Sequence, residues 1–526
     1  MSELPELPEA HGDPSDVPEP PMPPPFLGRR LRLGQAAFVG VYADGLLAVL
    51  SLAFIPYLIR RLGTEPYGIL GIVSVLGGQL ATFHFGVGTA GTRLVADSVG
   101  RGGEGLRERL TGIGLVGAAA SLLVGAIFLL VAPIAWRGGF DVSAAALPIA
   151  LAAVPAGAAV IALTPASAAV FGVLTARERF LFAAALRVYQ GAGRLLAAVA
   201  AVALGGGVVG VLWAQAAVDL SSVLLGWVRC WGGIGARRAR PGDAGGDGGM
   251  LEALTMVLAV GAPFTLVSLL SGLLTDAEKL AVGLALSVDD FTFYTVPFNA
   301  VIKFTVLSGA VVRVLTPRVT MLCARGEYQE ALRITERADR ILAIGTFGVL
   351  APVIALAPEL LRLWVGDTFA LQSTLATRLL VVGVGVNALA FPAFSVVLGR
   401  GRPAHLTMLY GAEVVIHLAT VYTLVSLFGI PGAAAAWTIR VVIDTLAQRT
   451  LAERTLGLRL GDGAYVWGAL GMLAVFVAVA PLLPLVARVA VGGAVALGCA
   501  FRLGRGRDAV MLIDSFLPSR WGKEEA

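Results

Sequence analysis

Charge is what this chain has least of. Only 14% of its 526 residues are Asp, Glu, Lys or Arg, against roughly 25% in a soluble globular domain. With 57% hydrophobic residues and a mean hydropathy of +0.82, this excludes an ordinary water-soluble fold. Lysine is nearly missing: Lys279, Lys303 and Lys523 are the only three, and arginine carries the other positive charges. Cysteine is scarce too. Cys230, Cys323 and Cys499 show no ligand spacing, so neither a disulfide nor a metal site is expected. There is no G-x-x-x-x-G-K-[ST] loop, no H-E-x-x-H, and no G-x-S-x-G placed on a strand–turn–helix. Past the N-terminal tail the longest loops hold roughly 20–25 residues, too few for an independent domain. No cofactor is expected. A glycosyltransferase or polymerase would need a sizeable outer loop or an acidic metal-binding motif, so an enzyme is not the expected reading.

What the chain does have is apolar runs of membrane length. Runs of about 20 residues cross roughly 30 Å of hydrocarbon as helices, whose backbone amides are satisfied internally. Breaking the sequence at Gly, Pro and charge clusters predicts an all-α polytopic membrane protein of about 14 spans. They run 34–59, 67–95, 111–135, 147–172, 181–205, 207–231, 252–274, 290–315, 338–363, 369–398, 404–428, 430–453, 464–482 and 484–503. Residues 1–28, rich in Pro, Glu and Asp, read as a disordered acidic tail.

Positive charge sets the orientation. With the N-terminus inside, 28 of the 40 Lys and Arg residues fall in cytoplasmic segments and six within spans. The other six, Arg60, Arg61, Arg137, Lys279, Arg362 and Arg378, fall outside. This bias predicts cytoplasmic N- and C-termini. The net charge of +5 then reflects topology, and no nucleic-acid partner is implied.

Two segments repeat. GRGGEGLRERL (100–110) and ARGEYQEALRI (324–334) each join an Arg-Gly pair to a Leu-Arg pair in a short charged stretch, about six spans apart. The repeat predicts two six-helix lobes in pseudo-two-fold arrangement, with a cavity between them. The expected organisation is an N-lobe over 29–231, a linker over 232–250, a C-lobe over 251–453, two extra helices over 454–503 and a cytoplasmic tail over 504–526.

The stretch FIPYLIRRLGTEPYGILG (54–71), followed by FHFGVGTAGTRLVAD (83–97), resembles the polysaccharide and oligosaccharide-lipid flippases of the multidrug/oligosaccharidyl-lipid/polysaccharide (MOP) exporter superfamily. The matching positions are Pro56, Arg61-Leu62-Gly63, Tyr67-Gly68 and Arg93. The second half is similar in outline, with Asp276, Lys279, Tyr294 and RVLTPRV (313–319). The chain departs from the pattern at FGVGTAG (85–91), where relatives often carry an acidic residue beside the Gly pair. The resemblance implies alternating access by two rocking lobes in a bacterial inner membrane. The substrate would be a lipid-diphosphate-linked glycan whose tail stays in the bilayer, with proton or sodium as coupling ion and glycan-synthesis enzymes as partners. The alternative within the superfamily is a multidrug or toxin exporter, which should prefer cations and an acidic cavity.

Charges within the membrane are costly, so each needs a partner or a purpose. Asp44 and Lys303, near the middle of spans one and eight, would line the central cavity under the family plan; a mutual or local ion pair is the other reading. Arg187 and Arg194 share a face of span five and are read either as cavity-lining or, with Asp219, as structural. Arg93 completes the candidate substrate-binding set. Arg60 and Arg61 are read either as snorkelling residues partly balanced by Glu65 or as an outer gate for an anionic substrate. Glu413 and Arg440, at similar depth on spans eleven and twelve, are expected to form a structural ion pair, with a proton relay through His417 as the alternative. His84 is expected to hydrogen-bond a neighbouring helix.

Overall fold

A computed structural model describes residues 27–81, 86–101, 105–232, 272–400, 403–461 and 474–505, with a few isolated positions between. The acidic tail, the linker and the C-terminal tail lie almost wholly outside the described residues, as does much of the thirteenth expected span. The described chain is helical, and its one β-type contact is an isolated bridge between Asp141 and Ser287. Eight segments among the described residues are long and apolar enough to cross a bilayer.

The first half comprises α1 (Leu27–Leu62), α2 (Thr64–Ala81), α3 (Val87–Gly100), α4 (Leu106–Gly138), α5 (Leu147–Ala176), α6 (Phe180–Ala203) and α7 (Gly207–Trp231). The second begins with α8 (272–285). It continues with α9 (Val288–Val301), α10 (Thr305–Ala324), α11 (Tyr328–Ala355), α12 (Ala357–Trp364), α13 (Asp367–Ala388), α14 (Ala390–Gly399), α15 (Pro403–Leu456) and α16 (Leu485–Arg505).

Several expected spans are broken. The second is α2 plus α3, and the eighth is α9 plus α10 with a 3₁₀ turn at Ile302–Phe304 between them. The tenth divides at Leu389, because the Pro392 ring would collide with the carbonyl of Ala388 one turn back. Spans eleven and twelve are the limbs of α15, folded at Gly429, whose φ of 62° is readily adopted by glycine. The repeat is visible in the fold. Segments 100–110 and 324–334 are the α3–α4 and α10–α11 turns, each with a positive-φ glycine, Gly105 and Gly326, and each follows a broken helix pair.

Helices α1–α7 pack chiefly on one another, and α9–α16 do likewise; α2 against α9 is the main contact between the two lobes. At the α1–α2 end one apolar cluster crosses both lobes, joining Ile69, Ile72 and Val73 to Val288, Phe291 and Val296. At the opposite end the core divides into an N-lobe cluster around Val87, Ile113 and Val173 and a C-lobe cluster around Val311, Leu342 and Val396. Among the described residues the shared apolar core lies at the α1–α2 end, while at the opposite end the two lobes have separate cores.

Candidate functional site

At the joined end, Gly63 (φ 95°) turns the chain between α1 and α2 and donates a 2.8 Å backbone bond to Ile59. Glu65 accepts from the Ser143 backbone N–H and hydroxyl, both at 2.7 Å. It therefore fixes α2 to the α4–α5 loop rather than balancing the two arginines. A carboxylate that accepts two aligned bonds close by has no reason to reach for flexible guanidinium groups. Arg60 and Arg61 are exposed at the end of α1, and Arg61 lies 6.0 Å from the Tyr57 ring centroid. Among the described residues neither has an acidic partner.

Two glycines let α2 lie flush on α9. A Cβ at Gly68 would stand 2.6 Å from Thr292 Oγ1 and 2.7 Å from the Val288 carbonyl; one at Gly71 would stand 2.6 Å from the Phe291 ring. The Thr292 hydroxyl donates to the Thr64 carbonyl at 3.0 Å, and Trp364 Nε1 donates to the Leu52 carbonyl at 2.8 Å. Deeper along α2, Gln79 Nε2 donates to Asp276 Oδ2 (3.1 Å) and to the Gly272 carbonyl (2.9 Å) of α8. Lys279 Nζ reaches Asp276 Oδ1 at 2.7 Å and lies 4.5 Å from the Phe298 ring centroid. Lys279, expected in an outer loop, is thus buried within a helix. Its charge is tolerated there because an i,i+3 carboxylate and an aromatic face accompany it. Arg378, also expected outside, is 5% exposed and donates to the Ile354 carbonyl at 3.1 Å.

Towards the opposite end, α3 and α5 form the wall of an open pocket of ≈ 510 Å³, lined by Thr89, Arg93, Phe171 and Thr175 among others. The wall depends on two small residues, since a Cβ on Gly172 would collide with the Gly88 backbone. Thr92 lies in this seam and donates to the carbonyls of Gly88 (2.9 Å) and Gly172 (3.1 Å). The next residue, Arg93, is exposed and has no acidic partner among the described residues. Arg187 is also exposed and stacks 5.5 Å from the centroid of Phe171. Two cations therefore flank a pocket whose other lining groups are threonines and small or aromatic side chains. Beyond the end of α3's buried face, Arg109 Nη1 binds Asp97 at 2.7 Å and Arg101 binds it at 3.1 Å. The Arg109 hydrogen bond, then the neighbouring positive charges, hold the Asp97 carboxyl below its ordinary 3.8.

The other candidates fall in different places. Arg194 forms a paired contact with the fully buried Asp219, its Nε 2.6 Å from Oδ1, and Gln190 adds a bond at 3.0 Å. Lys303 lies in the 3₁₀ turn rather than mid-helix, and it is exposed with no ion-pair partner among the described residues. Asp44 is in α1, but its side chain, like His84, lies outside the described residues.

In the C-lobe, Arg440 Nη1 is 3.9 Å from Glu413 Oε2, across the fold of α15. Asp444 lies beside Glu413 and accepts from Gln448 at 2.7 Å. His417, one turn from Glu413, puts Nε2 2.7 Å from Oε1 of Glu278 on α8, and both residues are almost wholly buried.

Residues 33–323, more than half of the sequence, match the family described as polysaccharide biosynthesis protein. The chain belongs to that family. A Shigella flexneri relative described as an O-antigen transporter is 25% identical over 194 residues, 37% of this chain and 46% of its own length. The chain therefore spans about half the length of that curated relative. Among solved structures, an inward-facing multidrug-resistance MATE transporter of the MOP superfamily superposes with a TM-score of 0.60 at 15% identity, covering 80% of this chain and 98% of its own. The lipid II flippase MurJ in an inward closed conformation gives 0.57 at 12% identity, covering 91% and 99%. This member of the polysaccharide biosynthesis family thus has the helical fold of MOP transporters and is a multi-span membrane protein.

Sequence reasoning about this family member missed three features. The Gly88–Gly172 seam joins positions far apart in sequence, and no local pattern marks it. Glu278 and Lys279 lie in a charged stretch that reads as loop, although the i,i+3 spacing of Asp276 and Lys279 was a usable helix signal. The α9–α10 break falls inside an apolar run with no turn signal.

Proposed function

We propose that this protein is a secondary transporter that moves lipid-diphosphate-linked polysaccharide or oligosaccharide precursors across the bacterial inner membrane by alternating access, with both termini cytoplasmic. The observation that carries the reading is the Arg93 pocket. It is open at the end where the lobe cores are separate, while the α1–α2 end is closed by apolar contact. A diphosphate leaving water loses hydration, and fixed cations offset part of that cost. Arg93 and Arg187 stand where such a head group would enter, and Lys303 offers a further cation along the second lobe. Arginine suits the task because its planar fork binds phosphate oxygens in pairs. Among the described residues the lining of this pocket contains no carboxylate, which disfavours a cation exporter. Under the charge bias in the loops, the pocket end faces the cytoplasm and Arg60 and Arg61 face outward. The reading needs no covalent catalysis and no cofactor; a proton or sodium gradient would drive the lobes, and enzymes that build the glycan would supply the substrate.

Binding of a polyprenyl diphosphate to the protein in nanodiscs tests the reading. Arg93→Gln should weaken it roughly tenfold or more, the scale of one lost charge-assisted contact, while an uncharged polyprenol binds both proteins equally. Equal diphosphate affinity in the variant would remove the pocket from the substrate path.

A further inference from the structure

We infer that residues 139–146, the α4–α5 loop, form a strap that is anchored on the N-lobe and unlatches from the C-lobe when the α1–α2 end opens. The inference deepens the transporter reading by giving the closed end a moving part, and it rests on that reading only for its use in transport.

The loop joins two N-lobe helices, yet its backbone pairs with the other lobe. Asp141 meets Ser287, at the corner between α8 and α9, in the isolated β bridge. The Asp141 carbonyl accepts from the Val288 N–H at 3.3 Å. That N–H belongs to the first residue of α9 and has no acceptor within its own helix. Ser287 caps the same helix end by accepting from the Asp290 N–H at 3.1 Å. The α9 N-terminus is therefore capped partly by its own chain and partly by a loop of the opposite lobe.

Beside the bridge, the ring of Phe140 is seated against Gly283 of α8. Phe140 is 7% exposed, and a Cβ on Gly283 would stand 3.2 Å from its ring and 3.3 Å from the ring of Phe291. The absent side chain thus leaves a notch that the strap's one aromatic ring fills. Trp136, near the end of α4, backs that ring with 5.1 Å between centroids. Trp136, Phe140, Val288 and Phe291 all belong to the apolar cluster that crosses both lobes.

The strap's two attachments differ in kind. On the N-lobe side, Glu65 of α2 accepts from the Ser143 N–H and hydroxyl, both at 2.7 Å. The Ser143 carbonyl accepts from the N–H groups of Ala146 and Leu147, both at 3.0 Å, which winds the loop directly into α5. On the C-lobe side there is one neutral backbone bond at 3.3 Å and one ring in a notch. Charge-assisted bonds are the stronger kind, so separation of the lobes at this end breaks the C-lobe side first. The strap then stays with α2, Phe140 leaves the notch, and the Val288 N–H passes to water. The parting groups are a carbonyl, an N–H and a ring, so release strands no buried charge.

The test uses the full chain in nanodiscs without substrate, with Cys230, Cys323 and Cys499 replaced by alanine. Residues paired across a β bridge lie about 5 Å apart, within disulfide reach. Asp141→Cys with Ser287→Cys should therefore cross-link under mild oxidation, read as loss of both free thiols. Hydrogen exchange of the Val288 amide, resolved by fragmentation mass spectrometry, then reports the latch. Phe140→Ala, which empties the notch, should quicken it roughly tenfold or more, and the cross-link should slow it relative to the reduced chain. Gly283→Ala, which crowds the ring without removing it, should also quicken exchange and serves where Phe140→Ala folds poorly. Thiols that stay free under oxidation overturn the inference, as does a Val288 rate that neither variant changes. In liposomes, the cross-linked chain should lose leaflet exchange of a polyprenyl-diphosphate oligosaccharide and regain it on reduction. Equal exchange by cross-linked and reduced chains overturns the strap and leaves the transporter reading intact. A reduced chain that exchanges nothing counts against the transporter reading alone, and the Val288 rates then decide the strap.

Discussion

Gly68 and Thr292 meet with no room for a methyl group between them: a Cβ on residue 68 would lie 2.6 Å from the threonine hydroxyl. The contact belongs to opposite lobes, so the smallest possible side chain at one position sets how closely the two halves of the protein can close.

Gly68→Ala should therefore open the α1–α2 end. Overpacking a close contact costs about 1–3 kcal/mol, enough to shift a two-state closure equilibrium by roughly tenfold. A cysteine at Phe291, buried in the native contact, should react with a thiol reagent correspondingly faster in the Gly68→Ala background. An unchanged rate would show that closure does not depend on this contact.

The Arg194–Asp219 pair is structural in this account. Arg194→Gln strands a carboxylate of 0% exposure and should cost about 3 kcal/mol of stability, read as a lower melting temperature in detergent. Arg194→Gln with Asp219→Asn should recover much of that loss. Additive losses in the cycle would contradict the pairing.

The α15 cluster predicts an asymmetry. Arg440→Gln removes the guanidinium that faces Glu413 and Asp444 and should destabilise by about 3–5 kcal/mol. Glu413→Gln, which lowers the negative charge, should cost about 1 kcal/mol or less. Thermal melts of the two variants would show this order, and equal losses would show that Arg440 does not offset the two carboxylates.

The Asp97 contact with Arg109 and Arg101 gives a pH dependence of known sign. A carboxyl held below its ordinary 3.8 stabilises the fold above that pH, and the contribution disappears as pH falls through the lower folded value. Hydrogen exchange at the end of α3 should therefore quicken below about pH 4. The step should be absent in Asp97→Asn, and its persistence there would assign it to another group.

Much of this architecture was legible in the sequence because the bilayer enforces it: long apolar runs must be helices. Glu413 and Arg440 could be placed at similar depth by counting residues from the ends of their spans, and the structure has them 3.9 Å apart. Asp276, Glu278 and Lys279 could not be placed that way. Charges that neutralise one another inside a helix look like loop residues when each is counted singly. The Arg93 pocket was half legible. The arginine stood out, but the wall that presents it depends on Gly88 and Gly172, which approach only after α3 and α5 pack.

The central claim is that this chain carries a diphosphate-linked lipid across a membrane through the Arg93 pocket. Reconstitution into liposomes containing a fluorescent polyprenyl-diphosphate oligosaccharide measures this directly, with leaflet exchange followed by a membrane-impermeant quencher. The account predicts exchange well above that of protein-free vesicles, and a rate roughly tenfold or more lower for Arg93→Gln at equal protein incorporation. Native protein that exchanges no faster than empty liposomes, or an Arg93→Gln variant that matches the native rate, would contradict it.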